Sequence, residues 1–168
     1  MYGTCLSYNV LKKTVKLTLL QIGKTKDKWL LEGISEYRKR ISAFAKFEII
    51  ELPDESIKHS GNAESVKAKE ASTILKYIKP EDYVILLDEQ GEQKNSLEFA
   101  DFLISLSERK NVVFITGGVF GVDKSIRQRA NSILSLSKFT FTHRLVRLIL
   151  CEQIYRALTI INNRNYHK

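Results

Sequence analysis

The stretch that decides the fold is Asn111-Val-Val-Phe-Ile-Thr-Gly-Gly-Val-Phe-Gly121. Residues 112–115 form a short apolar run rich in β-branched side chains, which is typical of a strand buried on both faces of a parallel sheet. Three glycines follow, and residues 122–130 have the pattern of a helix. A strand, a glycine loop and a helix in this order let a backbone close around a ligand at the carboxyl end of the strand. A tight turn that binds nothing would have the same pattern.

Strand and helix patterns alternate along the rest of the chain. Apolar or alternating runs predict further strands at 15–22, 47–52, 83–87 and 133–137. Helical spacing predicts helices that begin near Asp27, Asn62, Asn95 and His143, and Asn95 with Glu98 has the form of a capping box. The alternation predicts an α/β fold, a mostly parallel sheet with helices on both faces.

Ligands of such sheets bind beyond the carboxyl ends of the strands. Three of these ends carry candidate binding loops: Leu87-Asp88, Gly117-Gly118 and Ser137 to Thr142. We therefore expect these three segments to meet in one site.

Composition narrows the class of protein. The chain has 168 residues, of which 43% are hydrophobic and 27% charged, as expected of one globular domain. No apolar run approaches the roughly 20 residues of a membrane span. The two cysteines, Cys5 and Cys151, form no disulfide framework, and the sequence has no zinc-ligand spacing. These features predict a cytoplasmic protein without a metal, in which Cys151 is a small core residue.

The charge is strongly positive, with 27 Lys and Arg against 19 Asp and Glu and a net charge of +8. A balance of this kind often accompanies binding to a polyanion, and nucleic acid is the commonest one. A basic surface in contact with solvent alone would have the same composition.

The last predicted helix, 143–162, is apolar on more than one face. One face can pack on the sheet, and the other needs a cover, for which a second copy of the chain is the simplest candidate. The sequence thus predicts a homodimer, with the contact drawn from the surface around Leu148, Cys151 and Tyr155.

Several motifs, in their order along the chain, together resemble one family. They are Gln21 to Lys26, Ile50 to Pro53, Thr116 to Gly121, Leu136 to Thr140, His143 to Arg147, Glu152 to Ala157 and the terminal pair Tyr166-His167. Over residues 15–168 the chain is similar to the SPOUT-class methyltransferases that modify a pseudouridine of bacterial 23S ribosomal RNA at its N3 atom. We expect a single domain over this range.

The resemblance implies an S-adenosylmethionine-dependent RNA methyltransferase that works as a homodimer on 23S rRNA, on the assembled ribosome. It also implies a sheet whose carboxyl-terminal part is threaded into a trefoil knot. Transferred position by position, the cofactor contacts are Leu87, Gly118, Ser137, Lys138, Phe139, Thr140, Phe141 and Thr142. Backbone groups of such loops can bind the adenine and the amino acid tail, and a glycine lets the ligand approach the chain closely.

Methyl transfer from a sulfonium needs no metal and no nucleophilic side chain, but the target nitrogen must lose a proton. The candidate catalytic residues are His143, Arg147, Tyr166 and His167, with Arg144 beside them. His143 could equally cap or pack the helix, and Arg147 could hold a phosphate, so the sequence selects no single base.

The chain departs from the family in two places. Thr142-His143 stands where the family usually has Pro-His, and residues 1–14 have no counterpart. We expect residues 1–14 to be an appendage, and Val15 to mark an alternative start codon.

Two other functions remain open at this level. A nicotinamide-dependent enzyme would share the α/β pattern, but Gln21-Ile-Gly-Lys-Thr after the first strand lacks the Gly-x-Gly-x-x-Gly fingerprint. A non-catalytic, basic RNA-binding ribosome-assembly factor would share the charge. Binding of S-adenosylmethionine, of NAD, or of RNA alone separates the three.

Overall fold

The computed structural model describes residues 15–162, which contain one five-stranded sheet. Every strand pairs in parallel with its neighbours, in the order β2-β1-β4-β3-β5. The strands are β1 Lys16–Ile22, β2 Lys46–Leu52, β3 Tyr83–Gln93, β4 Asn111–Thr116 and β5 Ser132–Ser135. The predicted parallel α/β fold is confirmed, with the strand at 112–115 in the middle of the sheet.

Six helices connect or follow these strands within the described residues. They are α1 Lys28–Ser42, α2 Ile57–Ser60, α3 Ala63–Tyr77, α4 Ser96–Ser105, α5 Lys124–Arg129 and α6 His143–Ile161. The short helix α2 lies between β2 and α3, in a segment for which the sequence patterns above predict neither a strand nor a helix. Residues 1–14, and with them the predicted appendage, lie outside the described residues, as do residues 163–168.

The two faces of the sheet each bury an apolar core, because successive side chains of a strand point to opposite faces. In β1, Leu17 and Leu19 belong to the core under α1, α4 and α6. Leu20 and Ile22 belong to the core under α3 and α5. Helices therefore cover both faces, as predicted. The trefoil knot that the resemblance implies stays a prediction.

Helix α6 is covered mainly by its own chain, since it contacts both α1 and α4 as well as β4. Cys151 is fully buried in the core, as its apolar surroundings predict. Leu148 packs so closely on α1 that a methyl group placed on Gly33 would lie 2.9 Å from Leu148 Cδ1. The buried Cys151 side chain therefore cannot form the predicted subunit contact. Leu148 and Tyr155 are only partly buried, and the homodimer stays a prediction.

Strand β3 is longer than predicted. After Leu87 it bulges, and it pairs with β5 again at Glu92 and Gln93. At Gly91 the two backbones approach so closely that a Cβ would lie 2.7 Å from the carbonyl carbon of Ile133. The sequence predicts that the strand ends at Leu87. Residues 88–91 instead form a bulge that is fixed on both sides by pairing with β5.

The predicted helix caps have two different outcomes. Asn95 and Glu98 form the capping box, with Glu98 N donating to Asn95 Oδ1 over 2.9 Å and Asn95 N to Glu98 Oε2 over 2.7 Å. Asp27 occupies the N-cap position of α1, but its side chain makes no capping bond. Its carboxylate instead accepts a hydrogen bond from Arg144.

Candidate functional site

The strands end close together along the carboxyl edge of the sheet. Thr116 at the end of β4 is paired with Gln21 of β1 on one side and with Leu87 of β3 on the other. The loop that follows β4 therefore leaves the sheet at its centre. Two cavities open on either side of this loop, one of about 750 Å³ and one of about 520 Å³.

The larger cavity lies beyond β3, β4 and β5 and has the size of a small-molecule site. All three predicted binding loops, at 87–88, 117–118 and 137–142, contribute residues to its wall. Among the predicted cofactor contacts, the lining residues are Leu87, Gly118, Ser137, Phe139, Thr140, Phe141 and Thr142. Lys138 is the exception: it is exposed and does not line the cavity. The structure thus brings the nominated segments together, while their role as cofactor contacts stays a prediction.

Backbone forms much of the wall at the glycine loop. Gly121 has a φ of +81°, which favours glycine, and its N–H donates to the Gly118 carbonyl over 3.2 Å. A Cβ on Gly117 would lie 3.0 Å from Val122 Cγ1 and 3.2 Å from the carbonyl carbon of Gly121. A side chain at Gly117 would therefore force its neighbours in the loop to shift.

The segment 135–142 is shaped by its own hydroxyl groups. Ser135 Oγ donates to the Ser137 carbonyl over 2.8 Å, and Ser137 Oγ accepts from Phe139 N over 2.9 Å. Thr140 Oγ1 donates to Glu89 Oε2 over 2.9 Å, which links the segment to the bulge of β3. Thr142 caps α6 by accepting a hydrogen bond from Leu145 N. This residue, which departs from the family pattern, therefore stabilises the start of the helix.

Two ion pairs join distant parts of the chain at the larger cavity. Arg127 Nη2 lies 2.6 Å from Asp88 Oδ2, and Arg144 Nη1 lies 3.1 Å from Asp27 Oδ2. All four residues line the cavity, and sequence reasoning assigned none of these pairs. The partners are 39 and 117 positions apart, so no local spacing reveals them.

Thr116 contributes a polar group without a protein partner. The residue is buried and lines the larger cavity, and its Oγ1 has no hydrogen-bond partner within residues 15–162. A buried hydroxyl left unpaired costs about 1–3 kcal/mol. A ligand with a polar group at this position would remove that cost, so Thr116 fits a site that is completed by binding.

The smaller cavity lies beyond β1 and β2 and is lined largely by charged groups. They include Lys24, Lys26, Glu51, Asp54, Glu55, Glu70, His143 and Arg144. Four residues line both cavities, namely Gly118, Val119, His143 and Arg144. The glycine loop and the start of α6 are therefore a shared wall.

His143 and Arg147 occupy different environments, although they lie one helical turn apart. His143 is half-buried on the shared wall, and burial, followed by the charges of Arg147 and Arg144, lowers its pKa below the ordinary histidine value. It is therefore mostly neutral at pH 7 and can accept a proton or a hydrogen bond.

Arg147 is 0% exposed and lines neither cavity. It donates to Thr25 Oγ1 over 2.8 Å and to the carbonyl of Ile22, and burial lowers its pKa to about 10, so it remains a cation at neutral pH. In this position Arg147 supports the loop after β1 and does not face a substrate phosphate. Tyr166 and His167 lie outside the described residues.

Residues 15–162 were also compared with the requirements of a metal site and of a membrane-spanning helix. Within residues 15–162, no group of three or more His, Cys, Asp or Glu side chains is placed to hold a metal ion. In the same part of the chain, no helix combines the length and the apolar character needed to cross a membrane.

Comparison with known proteins agrees with this architecture. Residues 15–167 match the family described as "Predicted SPOUT methyltransferase". A protein named ribosomal RNA large subunit methyltransferase H from Ruminiclostridium cellulolyticum is 46% identical, over 92% of this chain and 100% of that protein. One of the same name from Parabacteroides distasonis is 40% identical, over 91% of this chain and 99% of that protein.

A solved structure shares the fold. The crystal structure of a probable methyltransferase from Bordetella pertussis Tohama I superposes with a TM-score of 0.50 at 12% identity, covering 90% of this chain and 98% of that one. The family match spans all of the described residues, and the two relatives are matched over nearly their whole length. This chain therefore belongs to the SPOUT methyltransferase family.

Proposed function

We propose that this chain is an S-adenosylmethionine-dependent methyltransferase that modifies ribosomal RNA of the large subunit in the cytoplasm. The observation that carries the proposal is the larger cavity, in which the carboxyl-end loops of β3, β4 and β5 converge. Family membership and the names of relatives at 40–46% identity support the same activity. At the finest level, the proposed target is N3 of a pseudouridine in 23S rRNA of the assembled ribosome, which rests on the sequence resemblance.

The residues of the larger cavity fit this cofactor. The backbone of the glycine loop and of segment 137–141 offers hydrogen bonds, the unpaired Thr116 hydroxyl offers another, and Leu87 offers an apolar contact. When bound, S-adenosylmethionine supplies an electrophilic methyl group. The task of the chain is to hold the reactants in line and exclude water, and neutral His143 lies on the wall where a proton could be accepted.

Exposed cationic and aromatic side chains near the cavities support RNA as the substrate. Lys24 and Lys26 are exposed at the smaller cavity, while Trp29 and Phe139, which are 61% and 79% exposed, line the larger one. Cations bind phosphates, and exposed aromatic rings can stack on unpaired bases. The net charge of +8 favours the same partner.

The homodimer is also part of the proposal. On α6, Val146 and Ile149 are half-exposed apolar residues one turn apart, and they replace the buried Cys151 as the contact we propose. Sedimentation at micromolar concentration should show a dimer for the wild type and a monomer for Ile149→Lys. A wild-type protein that sediments as a monomer contradicts the dimer.

Two measurements test the activity. Nucleoside mass spectrometry of ribosomal RNA from a strain that lacks the gene should show loss of one methylated nucleoside, restored by the wild-type gene. Calorimetry with S-adenosylmethionine and with NAD should show binding of the first only. RNA binding without either nucleotide, and an unchanged nucleoside profile, would instead support the non-catalytic assembly factor.

A further inference from the structure

Glu70 is a buried carboxylate to which nothing above assigns a task. It lies in the middle of α3, is 5% exposed, and lines the smaller cavity. Its Oε1 accepts one hydrogen bond, from Glu55 N over 3.3 Å. Among the described residues, its Oε2 has no hydrogen-bond or ion-pair partner. A buried carboxylate normally has several partners, because leaving water without them is costly.

The carboxylate reaches the wall between the two cavities. A methyl group placed on Gly118 would lie 2.6 Å from Oε2 and 3.2 Å from Oε1 of Glu70. The same glycine lines the larger cavity from the other side. Glu70 is thus next to the place where a group in the smaller cavity would meet a cofactor in the larger one.

The surroundings keep Glu70 ready to take up a proton. Burial is the main cause that raises the pKa of this carboxyl, and the charges of Asp54 and Glu55 raise it further, against the lowering effect of the Glu55 N–H bond. A carboxylate whose pKa is raised toward neutrality is a better general base than an exposed one. It remains largely unprotonated only while the pH exceeds that raised value.

We propose that the smaller cavity receives the target nucleobase and that Glu70 is the catalytic base that accepts its imide N–H proton. This assignment rests on the proposed methyltransferase function. The lone pair of the nitrogen forms the new N–C bond to the methyl group, and the C–S bond breaks with its electrons remaining on sulfur. The N–H bond electrons stay on nitrogen, and the proton passes to Oε2 of Glu70, from which water in the cavity removes it.

The other residues of the smaller cavity are suited to binding a nucleotide. Lys24 and Lys26 are exposed at its edge and can hold the phosphates on either side of an extruded nucleotide. Phe120 is an exposed aromatic side chain at the same cavity and offers a stacking surface. The volume of about 520 Å³ accommodates a nucleobase.

The decisive variant is Glu70→Gln, which keeps an acceptor for Glu55 N but cannot take a proton. With ribosomes from a strain that lacks the enzyme, single-turnover methylation should fall on the order of 100-fold. Calorimetric affinity for S-adenosylhomocysteine should be unchanged. The rate should recover at alkaline pH, where the nucleobase loses its proton to water. Glu64→Gln is the matched control, since Glu64 lies on the same helix with its side chain 79% exposed.

A measurement on the wild type keeps the test independent of the variant's folding. Carbon-13 NMR of labelled glutamate carboxyl groups follows Glu70, identified by the resonance that Glu70→Gln lacks or by assignment. The acid limb of the wild-type rate should follow that titration. The titratable and charged groups that face Glu70 are Asp54, Glu55, Glu51, Lys24, Lys26, His143 and Arg144.

Four outcomes overturn the assignment. A wild-type rate for Glu70→Gln, or a wild-type pH profile that departs from the Glu70 titration, excludes Glu70 as the base. Weakened S-adenosylhomocysteine binding by Glu70→Gln would mean that the carboxylate contacts the cofactor and is not the base. A wild-type enzyme that methylates no ribosomal RNA contradicts the proposed function itself, and with it the role of Glu70.

Discussion

The two cavities at the carboxyl edge of the sheet are lined by different kinds of chemical group. The larger one is lined by loop backbone, hydroxyl groups and apolar side chains, and its charged residues include two ion pairs. The smaller one is lined largely by lysines and carboxylates. Backbone groups have fixed positions and bind a constant ligand, while charged side chains can receive and release a polyanion. The difference agrees with our proposal that the cofactor binds in the larger cavity and the target nucleobase in the smaller one.

Removing Tyr166 to Lys168 should have the largest effect, because the tail contains the candidate catalytic residues Tyr166 and His167 and none of the predicted cofactor contacts. We expect methylation of ribosomes to be lost, by at least about 100-fold if the tail supplies an acid–base or positioning group. Fold and S-adenosylmethionine affinity should be retained in circular dichroism and calorimetry. Methylation at the wild-type rate would mean that the tail has no catalytic role.

Gly118→Leu tests the shared wall itself. A side chain here would enter the space of the cofactor, and its Cβ would press on the Glu70 carboxylate at 2.6 Å. We expect no measurable S-adenosylmethionine binding by calorimetry and a protein that remains folded. Leu97→Ala, at a position that is 57% exposed and lines neither cavity, is the control and should bind normally. Unchanged affinity in Gly118→Leu would show that the glycine only makes a turn.

Arg147→Met and Arg144→Met compare a buried and an exposed arginine on one helix. Loss of Arg147 leaves the Ile22 carbonyl and the Thr25 hydroxyl without their donor, so the free energy of unfolding should fall by about 2–4 kcal/mol. Loss of Arg144 removes a partly exposed ion pair with Asp27, with an expected cost below about 1 kcal/mol. Urea unfolding of both variants measures the difference, and equal losses would contradict the structural role of Arg147.

Thr116→Val removes the unpaired hydroxyl at the larger cavity. Without ligand the variant should be as stable as the wild type or more stable by about 1 kcal/mol, because an unsatisfied buried group disappears. Its affinity for S-adenosylmethionine should fall about 5- to 10-fold, equivalent to one lost hydrogen bond. Thermal unfolding with and without ligand reports both effects. An unchanged ligand-induced shift would place the hydroxyl outside the cofactor contact.

The smallest effect concerns His143 and pH. Its pKa is lowered in the folded protein, so folding disfavours its protonated form. The corresponding stability is complete above the unfolded value of about 6.5 and is lost as pH falls below it toward the folded pKa. Urea unfolding at pH 7.5 and 5.5 should therefore show a smaller acid-induced loss for His143→Asn than for the wild type. Equal losses in the two proteins would mean that His143 titrates normally.

The larger cavity was more predictable from sequence than the smaller one, for a physical reason. Its loops directly follow apolar strands, and a run such as Val112 to Ile115 with glycines after it can be recognised in the sequence alone. Glu70 gave no such indication, because a single carboxylate on a mostly polar helix is ordinarily exposed. The same holds for Asp88 and Arg127, which meet only after the strands have paired.

Element boundaries were less predictable where tertiary contacts decide them. The extension of β3 through the bulge depends on β5 lying close enough to pair with Glu92. Gly91 permits this close approach, but the local sequence does not show that β5 is the neighbour. The excess of apolar residues in α6 correctly predicted coverage on several sides. It could not show that α1 and α4 of the same chain provide most of that cover.

The bond from Arg147 to the carbonyl of Ile22 also has a consequence for the order of folding. It joins positions 125 residues apart, so a loop synthesised early depends on a helix synthesised near the end of the chain. Contacts of such long sequence separation form late, because the intervening chain must first be ordered. During synthesis, the loop after β1 therefore remains without its anchor until α6 has left the ribosome and docked. The smaller cavity is therefore completed only in the last stage of folding. We expect nascent chains that end before His143 to contain strands but no completed site.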